Sequence, residues 1–270
     1  MPSAPPQTQR KAALRENGAP QRRVALVTGA SRGIGYTTAI ALAKAGYDVA
    51  AVARDQLRLD DVRSEIAKHG VRSFSVQADV TDPDSVATGV HAIVAALGPP
   101  SVVVNNAGMA RSRPFTKITF AEWNEILSVN ATGAFLLTHA CLPAMLEAGW
   151  GRVINVASTA ALQGFRYTAH YTASKHAMLG MTRALALEVA LKGVTVNCVC
   201  PGFVDTEMTS QSIETIAQAT GRTLDEARRL LEQESPQMRL ITPGEVASAV
   251  VYLASDAARG VNGQAIVING

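Results

Sequence analysis

From residue 24 to the end of the chain, short apolar runs alternate with longer alanine-rich segments. The runs cover 24–28, 48–53, 72–76, 101–105, 152–157, 194–199 and 264–269, and they are dominated by β-branched and other apolar residues. Runs that are apolar on both faces suit strands of a parallel sheet covered on both sides. Between them, segments such as 35–45, 85–97, 122–146, 172–190 and 245–253 place apolar residues at helical spacing. Strand–helix–strand alternation predicts right-handed crossovers and an α/β fold with helices on both faces of the sheet. No repeat and no break in composition divides residues 23–270, which are expected to form one domain. One segment interrupts the rhythm. From 203 to 240 the alternation stops, and two polar helical stretches, 212–220 and 224–234, sit between the sixth and seventh runs. That is long for an α/β connection, so it is expected to be a functional lid.

Composition sharpens this picture and excludes some partners. Of 270 residues, 47% are hydrophobic and 17% charged, which gives ample material for a core, while only 5% are aromatic. So few rings argue against a nucleic-acid reader built on stacking platforms. The net charge of +3 misleads, because Arg10, Lys11, Arg15, Arg22 and Arg23 stand against Glu16 alone in the first 23 residues. The remainder is near −1, so the folded body carries no basic footprint for nucleic acid. Residues 1–22 are expected to be a disordered tail; their arginines also admit a targeting peptide, but no apolar stripe accompanies them. Cys141, Cys198 and Cys200 form no C-x-x-C pair and read as buried, reduced residues. No uncharged apolar stretch of about 18–20 residues is expected to span a bilayer, and no secretory signal is visible. The cytoplasm is the default location.

The chemistry concentrates in two places. The first run leads into Gly29-Ala30-Ser31-Arg32-Gly33-Ile34-Gly35 and then a helix. Glycines there let the backbone turn sharply and approach a pyrophosphate, whose charge is held at the helix N-terminus. The second run ends in Ala53 and Arg54, where a carboxylate would have bound the hydroxyls of an adenosine ribose. Arg54 and Arg32 instead favour a 2′-phosphate, since guanidinium forks match phosphate oxygens. NADP(H) is therefore the expected cofactor, with NAD(H) as the alternative because Asp55 lies next door. The second place is Tyr171-Thr-Ala-Ser-Lys175, with Ser158 thirteen positions upstream. A phenol and an ammonium four residues apart share one helix face, and the positive charge is expected to pull the tyrosine pKa down from about 10. Such a pair can move a proton on or off an alcohol oxygen near neutral pH.

With these motifs in hand, the chain resembles the short-chain dehydrogenase/reductase family in its compact single-domain branch. The matching elements are Thr28-Gly-x-x-x-Gly-Ile-Gly35, Asp79-Val80, Asn105-Asn-Ala-Gly108, Asn130, Ser158, Tyr171-x-x-x-Lys175 and Pro201-Gly202, in family order. The resemblance implies a Rossmann-type, three-layer fold with a seven-stranded parallel sheet of order 3-2-1-4-5-6-7. It gives Tyr171 the acid/base role and Ser158 a hydrogen bond to the substrate oxygen. Lys175 would bind the nicotinamide ribose and tune Tyr171, and Asn130 would hold a proton-relaying water. Asp79 and Val80 would contact the adenine, while Asn106, Ala107 and Gly108 would line the ribose. Val204 and Thr206, after Pro201-Gly202, would anchor the carboxamide. It also implies a homotetramer, with 122–146 and 172–190 packing across subunits.

The segments 155–164 and 199–206 look most like members acting on acyl thioesters. A 3-oxoacyl thioester or ketone reductase is thus the leading expectation, and a 3-hydroxyacyl or other secondary-alcohol dehydrogenase the alternative. A non-catalytic NADP-sensing protein predicts a damaged catalytic set, which this chain does not have. A sugar-nucleotide epimerase predicts a different glycine spacing and a larger C-terminal region. Arg222, Arg228 and Arg229 could meet a CoA or phosphopantetheine phosphate, but i,i+4 pairing on a solvated helix is the favoured reading. His69, His91 and His139 read as helix-surface residues, and His170 and His176 as packing or surface residues beside Tyr171. No cluster suggests a catalytic metal.

Overall fold

The computed structural model describes residues 22–270. The expectation for the N-terminal tail lies outside the described residues, apart from Arg22. Seven parallel strands run in the order β3-β2-β1-β4-β5-β6-β7. They are β1 (Val24–Thr28), β2 (Asp48–Ala53), β3 (Ser73–Gln77), β4 (Val102–Asn105), β5 (Gly151–Val156), β6 (Val194–Pro201) and β7 (Ala265–Ile268). β1, β2, β4, β5 and β6 are buried along their whole length, which is why their sequences show no polar face.

Alternate side chains of each strand enter opposite layers. Ala25 and Val27 pack with α1 (Gly33–Lys44), α2 (Gln56–Ala67) and α9 (Pro243–Ala254). Val24 and Leu26 face α3 (Pro83–Leu97), α5 (Gly133–Ala148) and α6 (Ala169–Val189). The segment read as a single helix over 122–146 is α4 (Phe120–Leu127), a π-helical turn at Ser128–Thr132, and then α5. The extra residue in that turn could not be read from apolar spacing, because a single insertion barely shifts the pattern.

One sequence expectation needs correction. Residues 126–146 contain no Asp, Glu, Lys or Arg, and the helical stretch Phe120–Ala148 is long and apolar enough to cross a bilayer by length and composition. Its inner face explains much of that composition: Leu137, Cys141 and Met145 are buried in the layer against the sheet.

The strand order reverses between β1 and β4, so the loops after these two strands diverge and leave a crevice at their C-terminal ends. Residues from Thr28, Asn105, Val156 and Pro201 onward are all delivered to this one edge of the sheet.

Candidate active site

The crevice is lined first by the glycine loop. Gly29 and Gly33 have φ of +63° and +55°, a region that favours glycine. At Gly35 the constraint is space, since an added Cβ would lie 2.2 Å from the Gly29 carbonyl oxygen. The loop is pinned to its neighbour by Thr28, whose Oγ1 accepts from the backbone N–H of Asn106 and Ala107, each at 3.0 Å. Asn106 Nδ2 donates in return to the Thr28 carbonyl at 2.9 Å. α1 begins at Gly33 without a side-chain cap and without an acidic residue in its first turn. Bare amides at a helix N-terminus beside a glycine cradle fit a dinucleotide pyrophosphate. Asp55 caps α2, accepting from Arg58 N–H at 3.2 Å, and pairs with the Arg58 guanidinium at 3.4 Å. Arg54 is exposed at the end of β2. Asp79 is committed to its own turn, accepting from the Thr81 N–H at 2.9 Å and the Thr81 hydroxyl at 2.7 Å, and these bonds hold its carboxyl below the usual range. Val80 packs on Gly133, where an added Cβ would lie 2.8 Å from it.

Beside the cradle lie the residues expected to form the acid/base set. Tyr171 and Lys175 occupy the first two turns of α6, and Ser158 follows β5 at the start of a 3-10 turn, Thr159–Ala161. Ser158 lies near enough to Tyr171 to favour the phenolate, and the Lys175 ammonium sits 5.8 Å from the centre of the Tyr171 ring. Lys175 is buried, donates to the Val156 carbonyl at 2.9 Å, and is pushed down by burial to about 8. The expected lowering of Tyr171 is not found: burial raises its pKa, and the nearby Ser158 opposes this only in part. Desolvation of the phenol outweighs a lysine that is itself desolvated and hydrogen-bonded elsewhere.

Asn130 lies in the π-helical turn and is fully buried. Its Oδ1 accepts from Met109 N–H at 2.8 Å, while Nδ2 donates to the Met109 carbonyl and to Ser174 Oγ, each at 2.9 Å. Ser174 passes the link on by donating to the Tyr171 carbonyl at 2.7 Å. The side chain thus clamps the loop after β4 to α6. Gly108 keeps the space open, since a Cβ there would lie 3.2 Å from Asn130 Oδ1 and 3.6 Å from Lys175 Nζ.

One further supporting feature was not legible in the sequence. A buried polar ladder crosses the sheet, from Asn105 Nδ2 to Asn155 Oδ1 at 2.7 Å, then from Asn155 Nδ2 to Thr182 Oγ1 at 2.7 Å, ending at Cys198 Sγ 3.1 Å further. Strand register and the packing of α6 bring these residues together: Asn105 pairs with Asn155 and Asn155 with Cys198, while Thr182 comes from α6. Cys141 and Cys198 are buried free thiols pushed up to about 12, as inert core residues should be. His170 is also buried, with neither ring nitrogen hydrogen-bonded, and burial pushes its pKa down. His69 is only partly exposed, whereas His91, His139 and His176 are exposed. No cluster of metal-ligating side chains occurs among the described residues.

The interrupting segment forms α7 (Glu207–Thr220) and α8 (Leu224–Glu232). Ile213, Ala227, Leu231 and Leu240 give it a small apolar cluster of its own. Pro201 ends β6, and the Gly202 N–H bonds to the Ile268 carbonyl at 2.9 Å. The segment's two ends meet where Val204 bridges Ile241, and Thr206 Oγ1 donates to the Val204 carbonyl at 3.3 Å. Arg228 pairs with Glu232 at 2.9 Å and Asp205 at 3.2 Å, which bears out the solvated-helix reading for that arginine. At the return, Arg239 grips Glu245 through two bonds of 2.7 and 2.9 Å, and Glu245 completes a capping box with Thr242. The Arg239 bonds, then those of Thr242, lower the Glu245 carboxyl to about 2. A depressed carboxyl contributes stability that is full above its unfolded pKa and fades as pH falls toward the folded one. The melting-temperature gap between wild type and Glu245→Gln is therefore expected to be constant above about pH 5 and to shrink steadily toward about pH 3. Thermal melts across that range check it, and a gap independent of pH would contradict it.

Fold and site together define a dinucleotide-dependent oxidoreductase. Residues 23–217 match the short chain dehydrogenase family, and the chain belongs to it. An acetoacetyl-CoA reductase of Rhizobium meliloti is 40% identical over 248 residues, covering 92% of this chain and 97% of that one. A 3-oxoacyl-acyl-carrier-protein reductase of Pseudomonas aeruginosa is 38% identical over 251 residues, covering 93% and 97%. Among solved structures, a variant of actinorhodin polyketide ketoreductase with NADPH superposes with a TM-score of 0.89 at 38% identity, covering 92% of this chain and 96% of that one. Levodione reductase gives 0.87 at 31% identity, with 92% and 96% covered.

Proposed function

We propose that the protein is an NADPH-dependent reductase of 3-oxoacyl thioesters, carried on CoA or acyl carrier protein, or of related ketones. The observation that carries this reading is the meeting of Tyr171, Ser158 and buried Lys175 beside an uncapped glycine cradle. When bound, NADPH supplies the hydride that adds to the carbonyl carbon. Tyr171 and Ser158 are the two donors for the carbonyl oxygen as negative charge builds on it. Tyr171 then gives its proton to that oxygen, completing the alcohol. Lys175 supports the cofactor ribose, and Asn130 holds the substrate-side loop and a relaying water in register. Gly29, Ser31, Gly33, Ile34 and Gly35 cradle the pyrophosphate. Arg32 and Arg54 meet the 2′-phosphate, Asp79 and Val80 the adenine, and Asn106, Ala107 and Gly108 the ribose. Pro201, Gly202, Val204 and Thr206 hold the carboxamide, and α7 with α8 form the lid of a single domain.

A panel of acetoacetyl-CoA, simple ketones and a diketone, each with NADPH and NADH, tests the reading. Fastest turnover with acetoacetyl-CoA and NADPH is expected, and a strong NADH preference would overturn it. Lys175 adds a pH signature. Its charged form is lost as pH rises through about 8, so NADPH affinity of the free protein is expected to weaken over that interval, and Lys175→Met to abolish the dependence. Fluorescence titrations of NADPH at a series of pH values measure this.

A homotetramer is supported by the outward faces of two helices. On α5, Phe135 and Leu146 are exposed, and on α6 so are Ala177, Gly180, Ala184 and Leu187. Light scattering is expected to give four chains, and a monomer would refute the assembly. A cytoplasmic location fits an NADPH-driven reaction and three free buried thiols.

A further inference from the structure

Glu207, the first residue of α7, reaches two guanidiniums that belong to separate elements. Its Oε2 accepts from Arg32 Nη1 at 2.7 Å, and its Oε1 from Arg58 Nη1 at 3.1 Å. Arg32 belongs to the glycine loop before α1, while Arg58 lies in the first turn of α2, just beyond the end of β2. In a crevice of this kind, the loop after the first strand and the end of the second strand flank the adenosine ribose. Both arginines hold the Glu207 carboxyl below its usual range. Thr206 lies close by as well: a Cβ added to Gly33 would stand 3.3 Å from Thr206 Cγ2. The foot of the lid is therefore tied to the phosphate loop by an ion pair, and the residue before Glu207 stands close over Gly33.

A glutamate carboxylate and a 2′-phosphate seek the same donors. We infer that Glu207 is a built-in competitor for the 2′-phosphate, occupying Arg32 and Arg58 until a phosphorylated dinucleotide displaces it and frees the N-terminus of α7. Arg58, which belongs to none of the sequence motifs, is then a specificity-determining residue alongside Arg32 and Arg54. The inference rests on the NADPH reading given above and adds to it a link between cofactor type and lid. Its magnitude is bounded by exposure. The side chains of Arg32 and Glu207 are 55% and 52% exposed and that of Arg58 46%, so each pair is a solvent-screened contact. A phosphate with more charge and more acceptor oxygens displaces such a contact readily, whereas NAD⁺ has no group that gains from doing so.

Calorimetric titration of the full chain with NADP⁺, NAD⁺, 2′,5′-ADP and 5′-ADP tests this without turnover. Glu207→Gln is expected to tighten NADP⁺ and 2′,5′-ADP by roughly three- to tenfold, with NAD⁺ and 5′-ADP changed less than about twofold. Arg58→Gln is expected to weaken the two phosphorylated ligands by about tenfold and spare the other two. If Glu207→Gln shifts all four ligands equally, or none, or if Arg58→Gln leaves the NADP⁺/NAD⁺ ratio unchanged, the inference is overturned. Wild-type protein that binds NAD⁺ more tightly than NADP⁺ would instead sink the cofactor reading itself, so the two failures are separable.

Discussion

Tyr171→Phe is expected to lower kcat for acetoacetyl-CoA reduction by about 10²–10⁴, equivalent to roughly 3–5 kcal/mol of barrier, while NADPH affinity stays within about twofold. The substitution removes one oxygen from a half-buried ring and leaves the ring itself in place. What disappears is the hydroxyl that faces Ser158 and stands near the buried ammonium of Lys175. Ser158 remains as a single donor for the developing oxyanion, so a residue of electrostatic stabilisation should survive without a proton to deliver. Steady-state rates give the loss and fluorescence titration gives the retained affinity. Turnover above about a tenth of wild type would show that another group supplies the proton.

Gly35→Ala is expected to do its damage before any chemistry begins. A Cβ at this position would lie 2.2 Å from the Gly29 carbonyl oxygen and 2.4 Å from Asn106 Nδ2. Neither neighbour can step aside cheaply. Gly29 is backbone, and Asn106 is bound to the carbonyls of Thr28 and Gly29. The loop after β1, the loop after β4 and the start of α1 would have to separate, and overpacking of this kind costs about 1–3 kcal/mol or more. In a chain of this size that corresponds to a fall in melting temperature of roughly 4–10 °C. NADPH binding should weaken at least tenfold, because the cradle and its helix N-terminus move together. Differential scanning fluorimetry with and without NADPH reads both effects, and an unchanged melting temperature would refute the close approach at this glycine.

The two substitutions differ in how far the sequence foretold them. Tyr171, Lys175 and Ser158 were visible because a helix fixes the i,i+4 spacing and a strand end presents its next residue at the sheet edge. The glycine loop was visible because backbone that must turn and approach a phosphate restricts residue type within a few positions. Asn130 was legible only through the family resemblance. Nothing in its neighbourhood announces the π-helical turn that holds it or the grip on Met109. The tyrosine pKa went the other way from expectation, because charge along one helix is local information whereas desolvation is set by everything packed around the ring. Arg58 escaped notice for a related reason, since its partner Glu207 lies 149 positions away and no local pattern joins them.

The sequence by itself determined the parallel sheet, its strands to within one or two residues, the glycine loop and the placing of Tyr171 and Lys175 on one helix face. These follow from apolar periodicity, turn chemistry and helical spacing, all of which act over a few residues. Only the tertiary structure decided the ladder from Asn105 to Cys198, the clamp from Met109 through Asn130 and Ser174 to Tyr171, and the hold of Glu207 on two arginines. Each joins residues from separate elements, and such contacts exist only once the strands have taken their register and the helices have packed.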